Sequence, residues 1–466
     1  MTLANLFLSH DFNNADDAPQ SKSIIGSFTP DDQPPALKTR LLENPQTIAL
    51  PLSSISSQAT LNSSSSNSYI LCTDSPPTSN TADTNNYTGC FEGQEKLLEI
   101  WFSTSAEDIP SPSCDQFDTK SSLKLQSPDP EDIDEFSQYR TGLRLIPKRV
   151  LRDMLDLVHC SVLDSFSNAY IDSYLLSESS MFMYPHKIVI KTCGTTTLLL
   201  ALERILDLAR IYCSFKSIHR VFYSRKSFMF PENQPVPHNS WDNEVSHLDT
   251  YFENGSSYII GDANTDHWYL YMATPKRADE QTAPGNVETS ELSETSDTTI
   301  EILMTGLNPS KMEKFYCGHF GDSSEGLLGG KLIEKASNIS DIYPDATCNS
   351  YLFYPCGFSS NAILGEHYFN IHVTPEPSCS FASFESNIPL SIPTNKDSVA
   401  NLVSKVIDIF SPTQFTVTIF KDIHQHSKDT TSDDASHTIS SEYKSSDRIV
   451  YKLDGYWLQY NHYIRA

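Results

Sequence analysis

Apolar positions along this chain come in blocks separated by long polar stretches. From residue 1 to about 88, Ser, Asn, Thr, Asp and Pro dominate, as in SSISSQATLNSSSSNS, and no helical or strand period persists, which predicts a disordered tail. The register changes at Cys90, where FEGQEKLLEIWF clusters apolar residues among three glutamates. Residues from about 103 to 142 turn polar and acidic again (SPDPEDIDEFSQ) and read as a surface insertion. In LIPKRVLRDMLDLVHCSVLDS, Val150, Met154, Leu157 and Val158 recur at helical spacing, with a strand expected at about Cys160 to Leu163. Tyr174 to Leu176 and Lys187 to Thr192 read as strands on either side of a SESSMF turn. Thr195 to Thr197 supply cap residues for the amphipathic helix of TTTLLLALERILDLARIY.

The remainder keeps a strand-and-helix rhythm. Strands are expected in SIHRVFYSRKSF, SSYIIGD, HWYLYMAT, TTIEILMTGL, NSYLFYPCGF, YFNIHVTPEP, CSFASFESN and FTVTIFKD, before a final YKLDGYWLQYNHY. Helices are expected near Glu244 to Tyr251 and at about Ser398 to Phe410, and polar insertions at about 275–296 and 424–446. With no GxGxxG and no regular βαβ alternation, the pattern predicts one α+β domain over residues 89–466 with largely antiparallel sheets.

Composition narrows the function classes. The 466 residues carry a formal net charge of -26, which repels phosphate backbones and anionic lipid and favours a cationic small molecule. This argues against nucleic acid and membrane as partners. No apolar run reaches the roughly 18 residues of a membrane span, Leu6 to Leu8 is too short for a signal-peptide core, and the amino terminus bears Asp where a transit peptide has Arg. The ten cysteines form no CxxC pair, so reduced thiols in a cytoplasmic protein, without a zinc ribbon, are expected. His424 and His426 form an isolated HxH, which reads as a solvated loop rather than a metal site.

Read alone, Ser177-Glu178-Ser179-Ser180 is an ordinary turn or cap. The text around it is more specific. LSESSMF, followed fourteen residues after Ser179 by Cys193 in KTCGTT, resembles the self-processing site of eukaryotic S-adenosylmethionine decarboxylases, the pyruvoyl enzymes of polyamine synthesis. The resemblance continues through FEGQEKLLEIWF, FYSRKSFMFP, HWYLY, TIEILM, PCGFS, IHVTPEP and SFESN, and weakens after about Lys421.

It implies a four-layer αββα sandwich of two face-to-face antiparallel sheets with helices outside, built from two similar halves, although no clear sequence repeat is visible. It further implies a proenzyme cleaved between Glu178 and Ser179. The Ser179 hydroxyl attacks the Glu178 carbonyl, and β-elimination and hydrolysis leave a pyruvoyl group, with no metal and no pyridoxal phosphate. Ser359 and His372 match the processing helpers; on its strand alone His372 is a core histidine, so its role rests on the resemblance. Cys193 matches the family's proton donor, and its place ahead of a helix amino terminus is expected to lower its pKa. Phe91 and Phe353 match the adenine-sandwiching pair, Glu376 the ribose-binding glutamate, and Glu95 and Leu176 further site positions. S-adenosylmethionine is the implied substrate.

Asp297, Thr299 and Glu301 are spaced by two, so a strand puts them on one face with Ile300, Ile302 and Met304 on the other. Two acids on one face suit a solvated surface. With Glu99, Lys191 and Glu385, however, they match a buried charged network that binds the activator putrescine in some members, which Phe222, Phe420 and Tyr463 would line. A silent paralogue that activates a true decarboxylase, and a hydrolase using Cys193 and His372, are the rival readings. Whether the molecule forms a homodimer of αβ units is left open.

Overall fold

Short strands that alternate in polarity bury one face against helices and the other against a second sheet. The computed structural model describes residues 90–110, 130–261, 267–274, 298–321, 325–390, 398–422, 439, 441–453 and 455–466. The expected tail, the 275–296 insertion, Asp297, His424 and His426 lie outside the described residues. The first half contains β1 (Lys96–Trp101), β2 (Val162–Ser167), β3 (Asp172–Leu176), β4 (Ser179–Met183), β5 (Lys187–Thr192), β6 (Arg220–Lys226), β7 (Ser256–Gly261) and β8 (His267–Ala273). They pair antiparallel in the order β2-β3-β4-β5-β1-β6-β8-β7.

The second half contains β9 (Thr298–Thr305), β10 (Thr347–Leu352), β11 (Phe358–Leu364), β12 (His367–Thr374), β13 (Phe381–Ser386), β14 (Gln414–Asp422), β15 (Tyr443–Lys452) and β16 (Tyr456–Arg465). Their order, β10-β11-β12-β13-β9-β14-β16-β15, is the same permutation strand for strand. The halves are therefore two copies of one topology, which the amino-acid text does not show as a repeat.

Helices α1 (Lys148–Asp156), α2 (Leu202–Cys213) and α3 (Trp241–Leu248) serve the first sheet, and α4 (Pro309–Met312), α5 (Gly326–Ala336) and α6 (Val399–Phe410) the second. In β1, Leu98 and Ile100 pack with Met154, Leu155 and Leu202 on the helix side. Ile302 and Met304 of β9 likewise pack with Val403 and Val406. Between the sheets, Phe222 and Leu270 meet Leu303 and Leu458 at one side, and Phe182 and Val189 meet Ile363 and Tyr368 at the other. The result is an α+β sandwich of four layers.

Several local expectations change. SESSMF is not all turn: only Ser177 and Glu178 lie outside β3 and β4, which pair Leu176 with Ser179. Thr195 to Thr197 do not cap an α-helix, because Leu198–Ala201 form a 3-10 turn before α2 and Thr197 makes no side-chain cap bond. The strand expected at Cys160 to Leu163 is β2, shifted to Val162–Ser167, and β15 starts inside the segment read as an insertion to 446. Helix α5 carries no clear period; its Gly330 lies against β10, where a Cβ would sit 2.0 Å from the Ser350 carbonyl oxygen.

The expected 103–142 insertion is anchored at its end. Arg144 donates to Asp172 at 2.9 and 3.1 Å and to the carbonyls of Asn168 and Ala169, and Arg140 donates to the same carboxylate. Arg144 and Asp172 are buried. Asp172→Ala would leave the Arg144 cation buried without its partner, and a loss of about 3–5 kcal/mol is expected, seen as a lower thermal unfolding midpoint; an unchanged midpoint would remove this tether from the fold's stability.

Candidate active site

The β3–β4 hairpin places a serine under strain. Ser179 is 1% exposed and has φ 125°, a conformation that L side chains avoid and that costs on the order of 1–3 kcal/mol. By alternation Ser179 shares the parity of Met181 and Met183, which face the helices. Its hydroxyl nevertheless donates to Glu95 Oε1 at 2.8 Å, on the side facing the second sheet. The irregular backbone accompanies that turn inward.

Glu95 joins three groups. Its Oε2 lies 3.4 Å from Lys191 Nζ and its Oε1 3.7 Å from His372 Nε2. Burial alone would raise the Glu95 carboxyl, but Lys191 and His372 beside it, with the Ser179 hydroxyl it accepts from, hold it below its ordinary range. His372 is buried next to Ser359 Oγ (2.8 Å from Nδ1) and Ser180 Oγ (2.8 Å from Nε2). Asn361 Nδ2 donates to Ser173 Oγ and the Tyr174 carbonyl, so its Oδ1 must accept from Ser180. With its one proton thus used, Ser180 accepts from His372 Nε2–H, and Nδ1 receives the Ser359 hydroxyl. Burial pushes His372 down to about 4, so the ring is neutral at pH 7.

Cys193 follows β5 and faces the same hairpin. Its N–H donates to the Glu178 carbonyl oxygen at 3.0 Å, and its Sγ lies 3.4 Å from that oxygen and 3.9 Å from Glu178 Oε2. The expected lowering of its pKa is corrected: burial, then the Glu178 and Glu95 carboxylates, push the thiol well above its usual value. The α-helix that was to lower it starts only at Leu202. Burial also pushes Glu178 up to about 7, against the pull of Lys96. Lys96, which sequence reasoning missed, donates to the Gly194 carbonyl at 3.0 Å and to Gln234 Oε1 at 3.4 Å.

Lys191 opens a second region. Its Nζ lies 2.7 Å from Glu385 Oε2 and 3.2 Å from Glu301 Oε1. Burial opposes its charge, but Glu385, Glu95 and Glu301 together raise its pKa well above the ordinary value. Burial and the neighbouring carboxylates push Glu301 up to about 7 in spite of Lys191. Beside them is a cavity of about 50 Å³ lined by Glu99, Phe222, Thr299, Glu301, Glu385 and Phe420. Thr299 and Glu301 thus face the other sheet, not solvent. Ser224, Trp268 and Thr418 also line the cavity and were not anticipated. Tyr463 is corrected: it pairs with Phe415, stacks on it at 4.8 Å, and lies with the helix-facing cluster, because cavity-facing β14 residues have the other parity.

Phe91 is 39% exposed and lies by Gly194, where an added Cβ would come within 3.2 Å of its ring. Phe353 donates its N–H to Gly357 across the loop that carries Cys356, and Cys356 contacts Glu376. The residues just after Glu376 return to the Phe91 segment, with Ser378 Oγ 2.8 Å from Cys90 Sγ. Leu176 is buried and pairs with Ser179. No group of three His, Cys, Asp or Glu among the described residues could hold a metal ion.

The family model described as adenosylmethionine decarboxylase matches residues 88–464. The chain is 39% identical over 334 residues to the S-adenosylmethionine decarboxylase proenzyme of Onchocerca volvulus, covering 71% of this chain and 76% of that protein. The Xenopus laevis proenzyme is 37% identical over 72% of this chain and 84% of its own. For the Saccharomyces cerevisiae proenzyme the values are 34%, 80% and 92%.

A thiol held protonated should alkylate slowly. Iodoacetamide labelling of Cys193, followed by peptide mapping, is expected to accelerate by about tenfold per pH unit beyond pH 9; a rate that levels off below pH 8 would show a thiolate instead.

Proposed function

Because the chain belongs to the adenosylmethionine decarboxylase family, we propose that it is made as a proenzyme that cuts itself between Glu178 and Ser179 and then removes CO2 from S-adenosylmethionine, for spermidine and spermine synthesis. One observation carries this reading. The strained Ser179 hydroxyl is held by Glu95 while the adjoining Glu178 carbonyl accepts the Cys193 N–H.

For processing, Ser179 Oγ adds to the Glu178 carbonyl carbon, and the oxygen that gains charge is the one already bonded to Cys193. Departure of the Ser179 nitrogen turns amide into ester. Loss of the Ser179 α-proton then breaks the ester C–O bond, and water releases ammonia to leave a keto group on the new amino terminus. His372, neutral and buried, suits the proton transfers. Ser359 can accept as well as donate, so it permits the tautomer change needed to free Nε2. Relief of the Ser179 strain favours opening.

The pyruvoyl group so formed supplies the electron sink for the pair released as CO2 departs. Cys193 then holds a proton at Sγ for the α-carbon, a task that its raised pKa suits and that a nucleophilic hydrolase would not share. Phe91 and Phe353 offer ring faces to the adenine and sulfonium groups, and Glu376 a carboxylate to the ribose.

Putrescine is the proposed occupant of the Glu301 cavity. Around it, Lys191 and Lys187 face Glu95, Glu99, Glu301 and Glu385, two cations against four carboxylates. Once Glu301 is ionised, a diamine carries the two missing charges. By family resemblance we also propose a cytoplasmic location and a homodimer of αβ units; no helix of the described residues is long and apolar enough to cross a membrane.

Ser179→Ala is expected to leave one chain of 52.2 kDa by intact mass and to abolish CO2 release; decarboxylation by an uncleaved variant would overturn the cofactor assignment. With Glu301 near 7, ionisation as pH rises should strengthen putrescine binding. Below pH 7 the concentration for half stimulation should increase by up to about tenfold per pH unit. Glu301→Gln should flatten that profile, and an unchanged curve would remove the diamine from this cavity.

A further inference from the structure

Two cysteines that neither processing nor decarboxylation uses lie together beside the substrate-side residues. Cys90 Sγ is 2.8 Å from Ser378 Oγ, and the side chain of the next residue, Cys379, lies near enough to that thiol to interact with it. The two segments are clamped further along. At Gly93 an added Cβ would lie 2.9 Å from Phe381 Cβ and 3.0 Å from Thr374 Oγ1, so the lead-in to β1 packs its glycine directly on the side chains of the 374–381 segment. Cys90 is half-buried and Cys379 buried, which gives a reagent in solvent access to Cys90 first.

We infer that Cys90 and Cys379 form a reversible disulfide, with a low-molecular-weight disulfide such as oxidised glutathione as the oxidant. The Cys90 thiolate attacks one glutathione sulfur, the reagent's S–S bond breaks, and one glutathione leaves as thiolate. Cys379 then loses its proton to solvent and attacks the Cys90 sulfur, displacing the second glutathione. Two protein thiols are oxidised and one disulfide is reduced. Burial, with Cys90 beside it, pushes the Cys379 thiol up to about 12, so the second displacement is the slower one and speeds up with pH.

The pair brackets Phe91 on one segment and Glu376 on the other. Granted the cleavage reading above, on which this consequence rests, Cys90 lies in the amino-terminal chain and Cys379 in the carboxy-terminal one. The disulfide would rejoin by sulfur two chains that processing had parted.

The test uses the full-length protein incubated with oxidised glutathione, alkylated, then peptide-mapped and run on gels with and without reductant. A linked Cys90–Cys379 peptide, lighter by two hydrogens, is expected, with the two chains migrating as one until reduced. Cys90→Ser and, separately, Cys379→Ala should each abolish the link, while Cys90→Ser keeps the activity of the reduced protein. Glutathione retained on Cys90 without a link, a link to Cys317 or Cys356, or no reaction would overturn the proposal. A chain that stays whole on the reducing gel would overturn the cleavage reading alone, since the peptide map still decides the cysteine pair.

Discussion

The ammonium of Lys191 is the interaction on which the interior depends. Removing such an ion from water costs several kcal/mol unless charges surround it, and here they come from both sheets. Glu95 precedes β1 in the first, while Glu301 and Glu385 lie on β9 and β13 in the second. One side chain therefore links the two sheets by charge, alongside the hydrogen bonds that Asn361 and His372 make across the same layer. The same ammonium ties two chemical regions together. Glu95 holds the Ser179 hydroxyl, and Glu301 borders the cavity, so a change of charge in the cavity reaches the hairpin through three successive contacts.

The hairpin itself works with neutral groups. His372 loses its charge to burial, and Cys193 keeps its proton because it too is buried, with the Glu178 and Glu95 carboxylates beside it. At rest such neutral groups spare the site the cost of holding an unpaired charge far from water. Lys96 completes the balance from the helix side, its pKa drawn down to about 8 by burial while the Glu244 and Glu92 carboxylates support its charge. Glu244 is in turn held by Arg225, His238 and Tyr223.

What could be read in the chain was local. Ser179, Cys193 and their spacing lie within one stretch, and the two-residue period of Thr299 and Glu301 indicates a shared face, though not whether that face meets water or the other sheet. Contributions that exist only once strands pair were not legible. Ser180 and Asn361 are ordinary polar residues until β11 brings the amide to the hydroxyl, and Tyr463 differs from a cavity residue only by parity, counted across an insertion. The thiol pKa was misjudged because a helix start was expected after Thr195 to Thr197, where the α-helix begins only at Leu202, and because the burial of Cys193 and the approach of Glu178 and Glu95 exist only in the folded chain. α5 was unreadable because its glycines follow the backbone of β10 rather than an apolar stripe.

The repeated strand permutation has a consequence for how strain is shared. Where the first half turns from β3 to β4 through Ser177 and Glu178 into the strained Ser179, the second half turns from β11 to β12 through Gly365 and Glu366. There Gly365 takes the left-handed position at φ 59° and His367 opens the strand without a positive φ. One copy of the pattern is relaxed and the other is held off its rest position. The quiet copy lends Ser359 and His372 to its strained twin, so the pseudo-symmetric scaffold divides into a brace and a trigger.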